Sequence, residues 1–343
     1  MEGLMRAAML AAERQVVAID LEPVPPGPDE VQIEVAYAGI CGTDLHIFHG
    51  AMADRLATPA VLGHESSGRV ALLGSEVDGF SVGDPVNVMP LRWCGSCGAC
   101  RAGHTHVCQT LKVIGVDLPG AMQQLWTVPA EVVLPVPGHV RLDHAALTEP
   151  TAVAVHDVRR SGLRPGEKAV VIGGGPIGLL IACVARQSGA ELVVAEPNPY
   201  RRAVASSLGL TVIDPYAVDI AEWVDDWTAG IGAAVAFEAS ASEAGITAAV
   251  DALEVRGRLI VVGIHQRPRP VDLNRVFMRE LTLHGARVYA REDFEQAVEL
   301  VAGGAVPADT LISAKVPLSN ASDAFVSLET GDDVVKILVD CQA

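Results

Sequence analysis

A glycine turn set between two apolar runs limits the fold of this chain more than any other feature. The stretch KAVVIGGGPIGLLIACVARQSGAELVVAE begins at Lys168 and ends at Glu196. Residues 169–185 carry no charge, but Gly173, Gly174, Gly175 and Pro176 interrupt them. A membrane-spanning helix needs about 20 mainly apolar residues. The run therefore reads as a buried strand, a glycine turn and a buried helix, followed by a second strand, ELVVAE. Within it Gly173, Gly175 and Gly178 form Gly-x-Gly-x-x-Gly, placed after a strand and opening a helix. In that setting the first glycine permits a tight turn. The second lets the backbone approach a pyrophosphate, and the third lets helix and strand pack closely. Pro176 and Ile177 open the helix, whose N-terminal N–H groups suit a phosphate. Glu196 falls where a carboxylate accepts hydrogen bonds from an adenosine ribose. It would repel a 2′-phosphate, so NAD is expected rather than NADP. Arg201 joins the expected cofactor-binding residues, and with Arg202 it keeps NADP in view.

The rest of the chain extends this reading. Its 343 residues are too many for one ordinary core, so two domains are expected. The first 90 residues carry β-branched or alternating runs such as EVQIEVAYAGI, joined by turns at Gly74, Gly79 and Gly83. From about Asp143 helices enter, and strand–helix alternation persists to about Arg287, which predicts a parallel sheet covered on both faces. Two helices and a final strand, DVVKILVD, follow. An α/β domain inserted into a β-rich one accounts for this order. The formal net charge of −17 argues against nucleic acid, whose phosphates reward a basic surface. The N-terminus shows no secretory pattern, so a cytoplasmic protein with reduced thiols is expected.

Four of the seven cysteines crowd into CGSCGACRAGHTHVC, residues 94–108, at the spacing C-x2-C-x2-C-x7-C. Thiolates of Cys94, Cys97, Cys100 and Cys108 can surround Zn²⁺ tetrahedrally, with glycines letting the backbone fold round the ion, and such a closed site is structural. An iron–sulfur cluster is the main rival, but the Cys-Pro ending of ferredoxins is missing. A second constellation is more dispersed. Cys41 is followed by Thr43, Asp44 and His46. His64 and Glu65 come next, and Glu149 much later. A thiolate, an imidazole and a carboxylate make a three-ligand zinc site with an open position, suited to Lewis-acid catalysis. His49 and His156 are equally available, and residue chemistry alone does not choose among them.

Together these features resemble the zinc-dependent medium-chain dehydrogenase/reductase family, from about Ala7 to the end of the chain. GHESSGRVALLGSEV is similar to its zinc signature, CGTDLH to its catalytic cysteine segment, and GGGPIG to its cofactor fingerprint. The resemblance implies a GroES-like catalytic domain (1–154 and 288–343) with a structural-zinc lobe at about 91–110. A Rossmann NAD-binding domain would occupy 155–287. It implies that Cys41, His64 and Glu149 bind a catalytic zinc, with Glu65 a nearby or alternating ligand, and that Cys94, Cys97, Cys100 and Cys108 bind a second zinc. Asp44 would orient His64, while Thr43 and His46 would carry a proton away. The segment TEPTAVAVHDVRRSG resembles the sorbitol, threonine and (R,R)-butanediol dehydrogenase branch. The implied activity is hydride transfer between NAD and a secondary alcohol: a polyol, a vicinal diol or a hydroxy amino acid. A homotetramer is implied ahead of a dimer. One departure stands out. The branch usually reads Gly-Gly-Phe-Ala-Glu-Tyr before this strand, and here Met122, Gln123, Gln124, Leu125 and Trp126 replace the usual run, in a loop expected near the active site.

Overall fold

The computed structural model describes residues 3–51, 55–56, 58–330 and 333–343. It divides into two compact units. One holds Met1–Glu149, Ala290–Gly304 and Ala308–Ala343, and the other holds Pro150–Tyr289 and Ala305–Pro307. Among the described residues no helix is long and apolar enough to cross a membrane.

The first unit is built on a seven-stranded sheet whose central member is Glu30–Gly39. Val31, Ile33 and Val35 alternate inward along it and are at most 2% exposed. Burying each such side chain is worth about 1.5–3 kcal/mol. Glu65–Leu73 pairs antiparallel with this strand, with Gly39 opposite Glu65. On the other side the C-terminal strand Lys336–Asp340 pairs antiparallel with it, with Leu338 opposite Gly39. Glu65 and Leu338 thus flank the same residue, Gly39. Gly39 is required there, because a Cβ would run into the Glu65 side chain. A two-stranded ribbon, Leu91–Arg92 with Lys112–Val113, forms the base of the cysteine segment.

The second unit is a six-stranded, wholly parallel sheet. Its spatial order is Thr211–Ile213, Glu191–Ala195, Lys168–Ile172, Ala233–Glu238, Leu253–Val261 and Thr282–Gly285. Every residue of Ala233–Glu238 is buried, as expected of a strand covered on both faces. The chain winds outward from Lys168–Ile172 in one direction, then crosses to Ala233–Glu238 and winds in the other. That reversal is the switch point where doubly wound sheets take ligands, beyond the carboxyl ends of the strands. Helix starts are fixed locally. Pro199 follows the cap Asn198, and Ser242 accepts the Gly245 N–H at 2.9 Å.

Candidate active site

Cys41 is placed by backbone chemistry. It caps the helix Gly42–Phe48, its N–H donating to Asp44 Oδ2 at 2.9 Å while its Sγ accepts the Thr43 N–H at 3.3 Å. Asp44 is wholly buried, and its Oδ1 lies 3.5 Å from His64 Nδ1. Neither atom has a hydrogen-bond partner among the described residues. Ligand atoms of Cys41, Asp44 and His64 lie within 4.8 Å of one another, as do those of His64, Glu65 and Glu149. Glu149 sits in the first turn of the helix Thr148–Ser161. Burial disfavours a charged His64, yet Asp44 and Cys41 outweigh it and hold the imidazole pKa well above its ordinary range. The buried carboxylate of Asp44 thus favours positive charge at His64. A thiolate, an imidazole and a carboxylate are a donor set that fits Zn²⁺.

The cluster contains a cation absent from the sequence reading. Lys336 Nζ lies 2.7 and 2.6 Å from the two Glu65 oxygens and 3.2 Å from the Ile40 carbonyl. Both side chains are at most 2% exposed. Burial works against a charged Lys336, but Glu65, then Cys41, with Glu149 further down, raise its pKa above the ordinary value. Both Glu65 oxygens are therefore committed to Lys336. The only sequence signal is a lone lysine inside the apolar strand Lys336–Asp340.

Thr43 and His46 share the helix that Cys41 caps. Burial, and then His49, lower the His46 pKa, which keeps that imidazole neutral near pH 7. The other candidate histidines do not join the metal-ligating groups found among the described residues. His49 lies 2.9 Å from Glu329, and His156 is buried within the helix Thr148–Ser161. The 121–126 segment is packed scaffold. Met122 is 1% exposed and lies against Gly63, where a Cβ would meet its Cγ at 2.9 Å. Gln124 Oε1 accepts the Arg6 N–H at 2.8 Å, and Trp126 Nε1 donates to the Pro119 carbonyl at 3.1 Å. The departure thus rebuilds the support next to His64.

In the cysteine segment the sulfurs of Cys94 and Cys108, and of Cys97 and Cys100, are 3.5 Å apart. Cys97 and Cys108 are 3.9 Å apart, and Cys94 and Cys100 4.0 Å. Zn–S bonds of about 2.3 Å in a tetrahedron put sulfurs about 3.8 Å apart, so the four are spaced for one ion. They are too far apart for disulfides. Backbone N–H groups of Ser96 and Cys97 lower the Cys94 pKa to about 5, whereas burial and neighbouring thiols push Cys100 up to about 12. Four thiolates together need a cation.

In the second unit the fingerprint turn is shaped by contact. Gly173 has φ 102°, and a Cβ on Gly178 would overlap the Gly173 carbonyl. Gly175 caps the helix Pro176–Gln187 without a side-chain hydrogen bond. A Cβ there would meet only Arg201, at 3.9 Å. Glu196 is 4% exposed and accepts the Gly174 N–H at 2.5 Å and the Asn198 N–H at 2.8 Å. It holds the turn. Arg202 is engaged by Asp214 at 2.9 Å.

A GroES-like sheet with a cysteine–histidine–glutamate cluster, and a doubly wound sheet with a glycine fingerprint, define a zinc-dependent dehydrogenase of the alcohol dehydrogenase type. The chain belongs to the zinc-dependent medium-chain dehydrogenase/reductase family. Residues 27–138 match the alcohol dehydrogenase GroES-like domain and residues 176–303 the zinc-binding dehydrogenase domain. The chain is 45% identical to 2-dehydro-3-deoxy-L-galactonate 5-dehydrogenase of Pseudoalteromonas atlantica over 99% of each chain. It is 33% identical to L-galactonate-5-dehydrogenase of Escherichia coli over 88% of each. A zinc-binding dehydrogenase from Sinorhizobium meliloti, solved bound to NADP, superposes with TM-score 0.93 at 28% identity, covering 99% of this chain and 100% of that one.

Proposed function

We propose that this enzyme oxidises the C5 hydroxyl of a galactonate-type sugar acid with NAD. The identity to the 5-dehydrogenase of P. atlantica over the whole chain carries that reading, and the intact ligand cluster supports it. This narrows the substrate from the polyols, diols and hydroxy amino acids expected from sequence to a hydroxy acid.

In this reading Cys41, His64 and Glu149 hold the catalytic zinc. When bound, the metal supplies Lewis acidity that lowers the pKa of the substrate hydroxyl. Asp44 fixes the ring of His64, as metal-bound histidines require. Lys336 keeps Glu65 beside the cluster as a reserve ligand. Thr43 accepts the hydroxyl proton and passes it toward His46, which is neutral and able to receive it. The residues of the turn, Gly173, Gly175, Pro176, Ile177 and Gly178, carry the pyrophosphate, while Glu196 and Arg201 flank the adenosine ribose. Cys94, Cys97, Cys100 and Cys108 hold a second, structural zinc. The division of labour follows the chain, with 1–154 and 288–343 catalytic and 155–287 binding NAD. Two copies would join along Thr282–Gly285, an edge strand with Leu283 exposed, beside Phe277 and Met278 at 78% and 70% exposed. Pairs of dimers would give a cytoplasmic tetramer.

The test follows nicotinamide absorbance of zinc-loaded enzyme with 2-dehydro-3-deoxy-L-galactonate, L-galactonate, L-threonine and (R,R)-butanediol, each with NAD and NADP. The expected result is turnover of a galactonate with NAD ahead of NADP. Preference for threonine or butanediol would remove the sugar-acid assignment, and preference for NADP would remove the role given to Glu196.

A further inference from the structure

We propose that His265 binds the nicotinamide riboside half of the dinucleotide, hydrogen-bonding to it through Nδ1 while Glu238 holds the ring. This rests on the reading that the second unit binds NAD.

Glu238 ends the strand Ala233–Glu238 on the switch-point side and is wholly buried. A buried carboxylate is costly unless its oxygens are satisfied, and here they are. Oε1 accepts the Ser240 N–H at 2.9 Å and the Ser240 hydroxyl at 2.5 Å. Oε2 lies 2.8 Å from His265 Nε2. The backbone carbonyl of Glu238 also accepts the N–H groups of Val262 and Gly263 at 3.0 and 2.8 Å. Gly263 packs so closely on Ala241 that a Cβ would lie 2.6–3.0 Å from it. The loop after Leu253–Val261 is thus pinned to the end of the neighbouring strand, and His265 is held with it.

This cluster adjoins the cofactor turn. A Cβ on Gly173 would meet Ser240 N at 3.0 Å. The two halves of a doubly wound sheet each take one mononucleotide. Glu196 stands in the adenosine half, next to Glu191–Ala195. Glu238 and His265 stand in the other half, at the carboxyl ends of the two strands across the switch point. With Nε2 engaged by Glu238, Nδ1 is the ring's remaining hydrogen-bonding atom. That atom is buried and has no hydrogen-bond partner among the described residues. The groups that a nicotinamide riboside brings to this place, ribose hydroxyls and a carboxamide, both donate and accept hydrogen bonds, and the unpartnered ring nitrogen is held in position to meet one of them.

Calorimetric titration of zinc-loaded wild type, His265→Phe and His265→Ala with NADH and with ADP tests this. ADP lacks the nicotinamide riboside. NADH should bind about tenfold more weakly to both variants, the effect of one lost hydrogen bond, while ADP affinity stays within about twofold. Unchanged NADH affinity in either folded variant overturns the proposal. So does an equal loss for both ligands, which would mean a disturbed turn. If wild type binds neither ligand, the dinucleotide reading itself fails. If wild type binds both and the variants do not discriminate, only the role of His265 fails.

Discussion

The two candidate metal-binding clusters of the first unit are built in opposite ways. The four-cysteine lobe is local, with every ligand within residues 94–108 and three of its four cysteines at least partly exposed. Its order comes from glycines and from N–H groups donated to sulfur, such as that of Cys97 to Cys94 at 3.3 Å. The groups Cys41–Asp44–His64 and His64–Glu65–Glu149, which share His64, are assembled from distant segments, and His64 and Glu149 are buried. Their surroundings are charged, with Asp44 behind His64 and Lys336 gripping Glu65 from 271 positions away. A site that only holds a loop can be made from a short segment and left near solvent. One that must tune a ligand needs a low-dielectric cavity and charges fixed by the whole sheet.

The largest effects should fall on the assembled cluster. Cys41→Ala and His64→Ala should each lower turnover by at least about 10³-fold, several kcal/mol of transition-state stabilisation. NADH binding, measured by fluorescence, should survive, and appreciable turnover in either variant would break the distinction. Next is Lys336→Met, which strands a buried Glu65 and should cost about 3–5 kcal/mol in urea unfolding. Adding Glu65→Gln should restore much of that loss, whereas additive losses would mean the pair is not coupled. Cys97→Ser should be milder, costing about 2 kcal/mol as the lobe loses its ion. It should leave KM for the alcohol nearly unchanged at low temperature. Equal melting of wild type and variant would contradict a structural metal.

The smallest effect calibrates these against an ion pair with no metal role. Burial pushes the Asp143 carboxyl up, but hydrogen bonds from Arg141 and Lys315 prevail and hold it at about 2, below the ordinary 3.8. Its folded pKa is therefore depressed, so its stabilisation is present above the ordinary value and fades as pH falls toward about 2. Both partners are partly exposed, which limits the contribution to about 1 kcal/mol. Asp143→Asn should lower the melting temperature slightly at pH 7, and the gap should narrow below pH of about 4. A gap independent of pH would assign the effect to packing.

The same contrast explains what the sequence disclosed. The cysteine lobe and the glycine turn are legible because ligands and turn lie within a few residues of one another, where spacing is geometry. The β-rich and doubly wound halves followed from hydrophobic period and strand–helix alternation. Choosing His64 over His49 and His156 needed the family resemblance, since Cys41 and His64 meet only through strand pairing. Lys336 went unread because its partner is set by the register of the last strand on Glu30–Gly39, which composition does not reveal. Met122 illustrates the reverse. It was visible as a departure, but only packing on Gly63 showed that it lies in the core. The sugar-acid proposal comes from whole-chain likeness to a 5-dehydrogenase, not from a motif read in the sequence.

The most direct measurement is zinc per chain, by plasma mass spectrometry, in wild type and Cys41→Ala prepared side by side. Two separately built sites require two zincs in wild type and one in the variant. One zinc in wild type, or two remaining in Cys41→Ala, would contradict that arrangement.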